Sequence, residues 1–224
     1  MSVIELNNIS KSFGEGISKV NVLENVNFSA NRGELSLILG PSGSGKSTFL
    51  TIAGGLLSPS EGNVIVDGQN LEGLTNKQRD NLRLNKIGFI LQSYNSLPFL
   101  NVRDQLKFVT KTKKTDNMSD EELKALLEEL GIDKLLDHYP DEMSGGQNQR
   151  VAIARALYPN PEIVLADEPT AALDSNRVEV VGELLKKMAV KHNKSIIVVT
   201  HDLRLKDYAD HIYEIMDGKL TKTK

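Results

Sequence analysis

The sequence predicts an α/β fold with a mostly helical insertion. Ile163 to Ala166 and Ser195 to Thr200 are continuous apolar runs between polar flanks, as suits strands of a parallel sheet covered on both faces. Helical patterns alternate with such strands. Their distribution is uneven: β-rich at the start, helical from about Ser93 to Asn160, then alternating β and α. At 224 residues the chain is long enough for one or two domains and a sizeable core.

The elements follow in order. Val3 to Ile9 alternates roughly apolar and polar, as a half-buried strand does, and Val20 to Ala30 reads as a second strand. Glu34 to Leu39 is a short apolar run ending at Gly40, which predicts a buried strand, and Thr48 to Ala53 is helical. Asn63 to Val66, followed by Asp67-Gly68, predicts a strand and tight turn. Lys86 to Leu91 is another strand. The clearest helix is Asp120 to Leu130. Ser119 and Glu122 form a capping box, Leu123, Leu126, Leu127 and Leu130 fall at i, i+3, i+4 and i+7, and Gly131 ends the pattern. Further helices are predicted from Gly145 to Leu157, stopping before Pro159, and from Arg177 to His192.

Composition narrows the function. Lys plus Arg is 27 and Asp plus Glu is 30, a net charge of −3, which gives no electrostatic case for a nucleic-acid partner. There is no cysteine, so disulfides, thiolate nucleophiles and Cys-ligated metal centres are excluded. The longest apolar runs, such as Ile196 to Val199, are four residues, whereas a spanning helix needs about 20. No signal peptide is expected, and a membrane role requires a partner subunit.

Gly40 to Thr48 reads GPSGSGKST and matches G-x-x-x-x-G-K-[ST]. Glycines let the backbone curl so that successive N–H groups point at phosphate oxygens. The loop runs into a helix N-terminus, where unsatisfied N–H groups and the dipole favour an anion. Lys46 brings a compact positive charge to the β- and γ-phosphates, and the Ser47 hydroxyl is placed to ligate magnesium. The predicted strand before the loop and helix after it supply the context the motif needs.

Ile163 to Pro169 reads IVLADEP, so two carboxylates emerge where a core strand ends. Asp167 suits magnesium, and Glu168, one residue on, points elsewhere and can accept a proton from an attacking water or position that water. Glu142 to Arg150 reads EMSGGQNQR, with Ser144 as an N-cap and Gly145 and Gly146 opening a helix. Read alone, this is an ordinary cap or a second phosphate-facing helix N-terminus.

Together these elements, with ALDS at Ala172–Ser175 and VVTHD at Val198–Asp202, resemble the nucleotide-binding subunit of ABC transporters over essentially the whole chain. The resemblance implies a P-loop NTPase core, a RecA-like mixed sheet with helices, plus an antiparallel β subdomain and a helical signature subdomain. It implies one ABC ATPase domain over 1–224, with 1–92 and 161–224 as the ATP-binding core and 93–160 as the helical part. Gly40, Ser42, Gly43, Ser44, Gly45, Lys46, Ser47 and Thr48 would cradle ATP. Phe13, in KSFG, resembles the aromatic that stacks on adenine. Gln92 resembles the glutamine that senses magnesium and water and links to the membrane partner. Ser144, Gly145, Gly146 and Gln147 resemble the signature that contacts the γ-phosphate held by the opposite subunit. Asp174 is similar to the aspartate at the dimer interface, and His201 to the switch histidine. Catalysis would rest on Glu168, His201, Gln92 and Lys46, and Mg²⁺ on Ser47, Gln92 and Asp167. Met143 stands where the signature usually begins with Leu, a volume-conserving change, and Asn148 where many relatives have Gln or Lys.

One chain supplies one phosphate loop and one signature, so the family's geometry implies two copies head to tail around two ATP molecules. Asn81 to Leu106 is similar to the subgroup of MacB-type, lipoprotein-releasing and bacitracin-type systems, whose permeases have few membrane helices and often a large external domain. FGEGIS and LPFLNV resemble haem-exporting relatives of Gram-positive bacteria. Antimicrobial-peptide, drug or lipoprotein extrusion is the alternative, as is a signalling subunit that transports nothing. The implied location is the cytoplasmic face of the cell membrane, peripheral through the permease. Tyr94 to Phe99 is expected to receive a permease helix or to form a local core cluster. Lys111, Lys113, Lys114 and the tail from Lys219 to Lys224 read as solvated basic clusters. His138, His192 and His211 read as surface or packing residues.

Overall fold

The computed structural model describes residues 2–93 and 96–224. The chain begins with two long strands, β1 (Ser2–Phe13) and β2 (Val20–Asn31), then β3 (Leu35–Leu39) and helix α1 (Lys46–Ala53). β4 (Glu61–Val66) and β5 (Gln69–Asn70) follow, then α2 (Asn76–Lys86) and β6 (Ile87–Ile90). Three helices come next: α3 (Val102–Thr112), α4 (Asp120–Glu129) and α5 (Gly145–Leu157). The chain closes with β7 (Ile163–Asp167), α6 (Ser175–His192), β8 (Ser195–Thr200), β9 (His211–Met216) and β10 (Lys219–Lys222).

Two sheets result. An antiparallel sheet has the order β2-β1-β4-β5, and a mixed sheet the order β10-β9-β3-β8-β7-β6. In the mixed sheet β9, β3, β8, β7 and β6 run parallel, and β10 pairs antiparallel to β9. The strands of its centre are buried throughout because successive side chains enter opposite layers. Val164, Ala166, Ile196 and Val198 pack with Val151, Ile153 and Leu157 of α5 and Leu184 and Leu185 of α6. Leu165, Ile197 and Val199 pack with Phe49, Leu50 and Ile52 of α1 and Ile4, Leu6 and Phe28 of the antiparallel sheet. Asp67, after β4, pairs with Arg32 and Lys86, and both cations also pair with Glu162, which precedes β7. This cluster joins the two sheets at the end remote from the phosphate loop.

Elements invisible in the sequence pattern are α2, β5, β9 and β10. Only Leu82 of α2 is buried, so no apolar stripe marks it, and a Thr75–Gln78 capping box starts it. The tail read as a basic cluster is exposed as expected but is also an edge strand. Lys113 requires a correction, because it is buried rather than solvated. Its Nζ donates to the Pro159 carbonyl at 2.5 Å. Lys194, also buried, donates to Asn160 Oδ1 and the Pro161 carbonyl, both at 2.6 Å. Both ammonium groups thus sit on acceptors just beyond the C-terminus of α5, where the helix dipole favours cations.

Burial lowers the Lys194 pKa from 10.5 to about 8. The unfolded chain therefore holds this proton to higher pH than the folded one, and stability contributed here rises as pH climbs from about 8 towards 10.5. The difference in thermal midpoint between wild type and Lys194→Met should shift in favour of wild type between about pH 7.5 and 9. A pH-independent difference in those melting curves would contradict this assignment.

Candidate functional site

The strand register gathers the site. Leu39 of β3 lies beside Thr200 of β8, Val199 of β8 beside Asp167 of β7, and Ala166 of β7 beside Ile90 of β6. The carboxyl ends of four parallel strands therefore share one sheet edge, the place where α/β sheets bind ligands. A cavity of about 460 Å³ opens there. Val22 of β2, loop residues between Ser42 and Thr48, Gln92, Asp167, Glu168 and His201 line it.

The loop from Gly40 to Gly45 needs its glycines. Gly45 has φ +103°, and a Cβ on it would lie 2.8 Å from the Val22 carbonyl oxygen. A Cβ on Gly40 would lie 2.5 Å from the Ile215 carbonyl oxygen and 2.7 Å from Ser44 Oγ. α1 starts directly after Gly45, with no capping side chain, so the N–H groups of its first turn are left for an anion. Lys46 is buried, and its Nζ donates to the Gly40 and Pro41 carbonyls at 2.7 and 2.8 Å. The ammonium thus stands over the mouth of the loop.

The two carboxylates at the end of β7 diverge as expected. Asp167 is buried, and its Oδ1 has no hydrogen-bond partner among the described residues. Burial pushes its carboxyl above the usual carboxylate range; the Ser47 hydrogen bond opposes this, Glu168's charge adds to it, and Lys46 opposes it weakly. Glu168 is buried and turned into the left-handed region, at φ +49°. Its Oε2 accepts from Thr200 Oγ1 at 2.6 Å, and its Oε1 accepts from the His201 backbone N–H at 3.2 Å. His201 Nδ1 lies 2.8 Å from the same Oε1, while the ring is 70% exposed. A carboxylate fixed this way beside a phosphate cradle can take a proton from a water attacking phosphorus.

The remaining predicted residues stand elsewhere. Phe13 ends β1, 45% exposed, with Lys11 Nζ 5.1 Å from its ring centroid, and is outside the cavity lining. Ser144 caps α5: its Oγ accepts from the Gln147 N–H at 3.3 Å and Gln147 Oε1 accepts from the Ser144 N–H at 2.7 Å. Ser144 and Gly145 are exposed, and neither they, Gly146, Gln147 nor Asp174 line the cavity. Asp174 caps α6, its Oδ1 accepting from the Arg177 N–H at 3.0 Å. Met143 fills a core position. The structure thus assembles the phosphate loop, Gln92, Asp167, Glu168 and His201, and holds the SGGQ turn on another surface.

The structural roles of Asn148 and Gln149 escaped sequence reasoning. Asn148 is buried, and its Nδ2 donates to the carbonyls of Pro140, Met143 and Ser144 at 2.8, 3.2 and 3.3 Å, fixing the turn before α5. Gln149, also buried, bonds the segment that follows β7. The available signal was a pair of adjacent amides leading into the apolar run of α5.

Residues 23–171 match the family model described as ABC transporter. A protein of Staphylococcus haemolyticus that carries the name hemin import ATP-binding protein HrtA is 47% identical over 218 residues, covering 97% of this chain and 98% of the relative. One of Staphylococcus epidermidis with the same name is 48% identical, over 95% of this chain and 96% of its own. Among solved structures, the dimeric bacterial ABC transporter cassette MJ0796 superposes with a TM-score of 0.90 at 38% identity, covering 99% of both chains. The same cassette in a post-hydrolysis state bound to ADP and phosphate superposes with a TM-score of 0.88 at 39% identity, again over 99% of both. With its phosphate loop and paired carboxylates on one sheet edge, the chain belongs to the ABC transporter family, as an ATP-binding cassette with ATPase activity.

Proposed function

We propose that two copies of this chain close head to tail on two ATP molecules and that hydrolysis resets a membrane permease. The observation that carries this is the division of the predicted site over two surfaces of one chain. The cavity holds Lys46, Asp167, Glu168 and His201, whereas Ser144 and Gly145 stand exposed away from it. A second copy brings its SGGQ turn to the first copy's cavity, and the two-fold arrangement completes both sites at once.

In this reading the N–H groups of Gly43 to Thr48 and the Lys46 ammonium hold the phosphates, with Gly40, Ser42 and Ser44 shaping the loop. Phe13 lies against adenine. Glu168 Oε1 takes the proton as water attacks the γ-phosphorus, the bond to the bridging oxygen breaks, and ADP and phosphate result. His201 holds the carboxylate and closes the site over the γ-phosphate. Asp174 meets the partner copy. The unpaired Asp167 Oδ1 and the Ser47 hydroxyl are hard oxygen donors that fit Mg²⁺, with the Gln92 amide at the same cavity. Bound there, the ion would offset phosphate charge.

No helix among the described residues is long and apolar enough to cross a membrane. In the proposed reading the chain meets the membrane through the permease, at its cytoplasmic face. The docking segment proposed is Tyr94 to Phe99. Tyr94 and Asn95 lie outside the described residues, while Phe99 is 71% exposed, which favours a surface role over a core cluster. Phe99→Asp is expected to remove the permease from affinity-purified complexes while leaving ATP affinity unchanged. Loss of ATP affinity in the same variant would contradict it.

Haem is the substrate class proposed, from the resemblance at FGEGIS and LPFLNV and from the relatives' name. That name speaks of import, the sequence resemblance of export, and the ATP site serves either direction. The test is a tagged pull-down of Glu168→Gln with ATP from detergent-solubilised native membranes. A permease with few membrane helices and an external domain should co-purify, and its vesicles then report the direction of haem movement. A homodimer free of membrane protein would overturn the transport reading.

A further inference from the structure

Gln149 lies in the second turn of α5, 3% exposed, and uses both ends of its amide. Nε2 donates to the Glu168 carbonyl at 2.9 Å, and Oε1 accepts from the Ala172 N–H at 3.0 Å. These two bonds span the segment from Glu168 to Ala172. Glu168 needs such support. A glutamate at φ +49° is strained and persists only where its surroundings over-determine it. The Glu168 N–H is already tied to the Val199 carbonyl at 2.9 Å, so the Gln149 bond fixes the peptide on the other side. Together they set the direction from which the side chain meets Thr200 and His201.

The same helix begins at Ser144. Its first turn touches the same segment, since a Cβ on Gly146 would lie 3.1 Å from the Ala172 carbonyl oxygen and 3.2 Å from Leu173 Cδ2. α5 is therefore a rigid element in contact with the partner-facing turn at its tip and with the Glu168 turn just behind.

The geometry points to Gln149 as a positioning residue that couples the two ATP sites: when Ser144 of a chain engages ATP in its partner's cavity, the Gln149 amide carries the resulting placement of α5 to Glu168 of its own cavity. This rests on the head-to-tail reading above. The Gln149 amide supplies both a donor and an acceptor at this position. Glutamate keeps the acceptor and loses the donor, and methionine keeps the volume and loses both.

The test compares full-length wild type, Gln149→Met and Gln149→Glu by steady-state ATPase kinetics, fluorescent-ATP binding and thermal melting. ATP-driven dimerisation is followed in a Glu168→Gln background. Both variants should lose kcat about 10- to 100-fold, the scale of a misplaced reacting group, with KM and ATP affinity little changed. The Hill coefficient for ATP should fall towards 1, and dimerisation should survive. Wild-type kcat and Hill coefficient in Gln149→Met would overturn the coupling while leaving the shared-site reading intact. A joint fall of kcat, affinity and thermal midpoint would also overturn it, because Gln149 would then be a structural residue only. Absence of ATP-driven dimers in Glu168→Gln with Gln149 intact would instead remove the reading underneath.

Discussion

Glu168→Gln is expected to lower steady-state ATP hydrolysis by about 10²- to 10⁴-fold, the range for loss of a positioned general base. ATP affinity should stay within about twofold, because in the proposed mechanism the carboxylate meets the attacking water and not the bound phosphates. The substitution is close to isosteric, and its amide can still meet Thr200 and the His201 backbone, which now bond Glu168 at 2.6 and 3.2 Å. A fall in affinity as large as the fall in rate would mean that Glu168 supports the fold of the site. Wild-type turnover would remove it from the chemistry. Single-turnover hydrolysis alongside equilibrium binding separates these results.

Lys46→Ala should act at the other step. Its ammonium already stands 2.7 and 2.8 Å from two loop carbonyls, at the mouth of the cradle. Charge-assisted bonds to phosphate oxygens contribute about 1.5–3 kcal/mol each, so losing contacts to two phosphates should raise the ATP Kd by at least about 100-fold. The thermal midpoint of wild type should climb with ATP by mass action, and that of Lys46→Ala should stay flat over the same titration. An ATP-dependent shift of wild-type size in the variant would relocate the phosphate site. The two substitutions divide binding from turnover.

What was legible beforehand was local. GPSGSGKST is one loop between a strand and a helix, and IVLADEP one strand with its exit, so residue type and order suffice to place these residues at the ends of their strands. Strand alternation across β3, β7 and β8 then brings those exits to one edge, as the pattern of buried runs predicts. What was not legible depends on partners distant in sequence. Lys113 reads as one of several surface lysines until the Pro159 carbonyl, 46 residues away, is seen to accept a hydrogen bond from it. Gln149 reads as a helix polar residue until its bonds to Glu168 and Ala172, 19 and 23 residues on, are seen. α2 was hidden for a different reason. Polar on nearly every face, it is held by its cap and by Arg83 donating to the Gly55 carbonyl at 2.6 Å rather than by an apolar stripe. Such helices leave no periodic signal.

The division of the site over two surfaces has one direct consequence. If, as proposed, the exposed Ser144 turn completes the site of another copy, a chain that binds ATP but cannot hydrolyse it should accumulate as a closed pair. The mass in solution of Glu168→Gln at saturating ATP, by sedimentation or light scattering, tests this. Two chains per particle are predicted, reverting to one when ATP is removed or when Ser144→Arg is added to block the turn. A single chain with ATP bound, at concentrations well above those needed for turnover, would contradict the shared site.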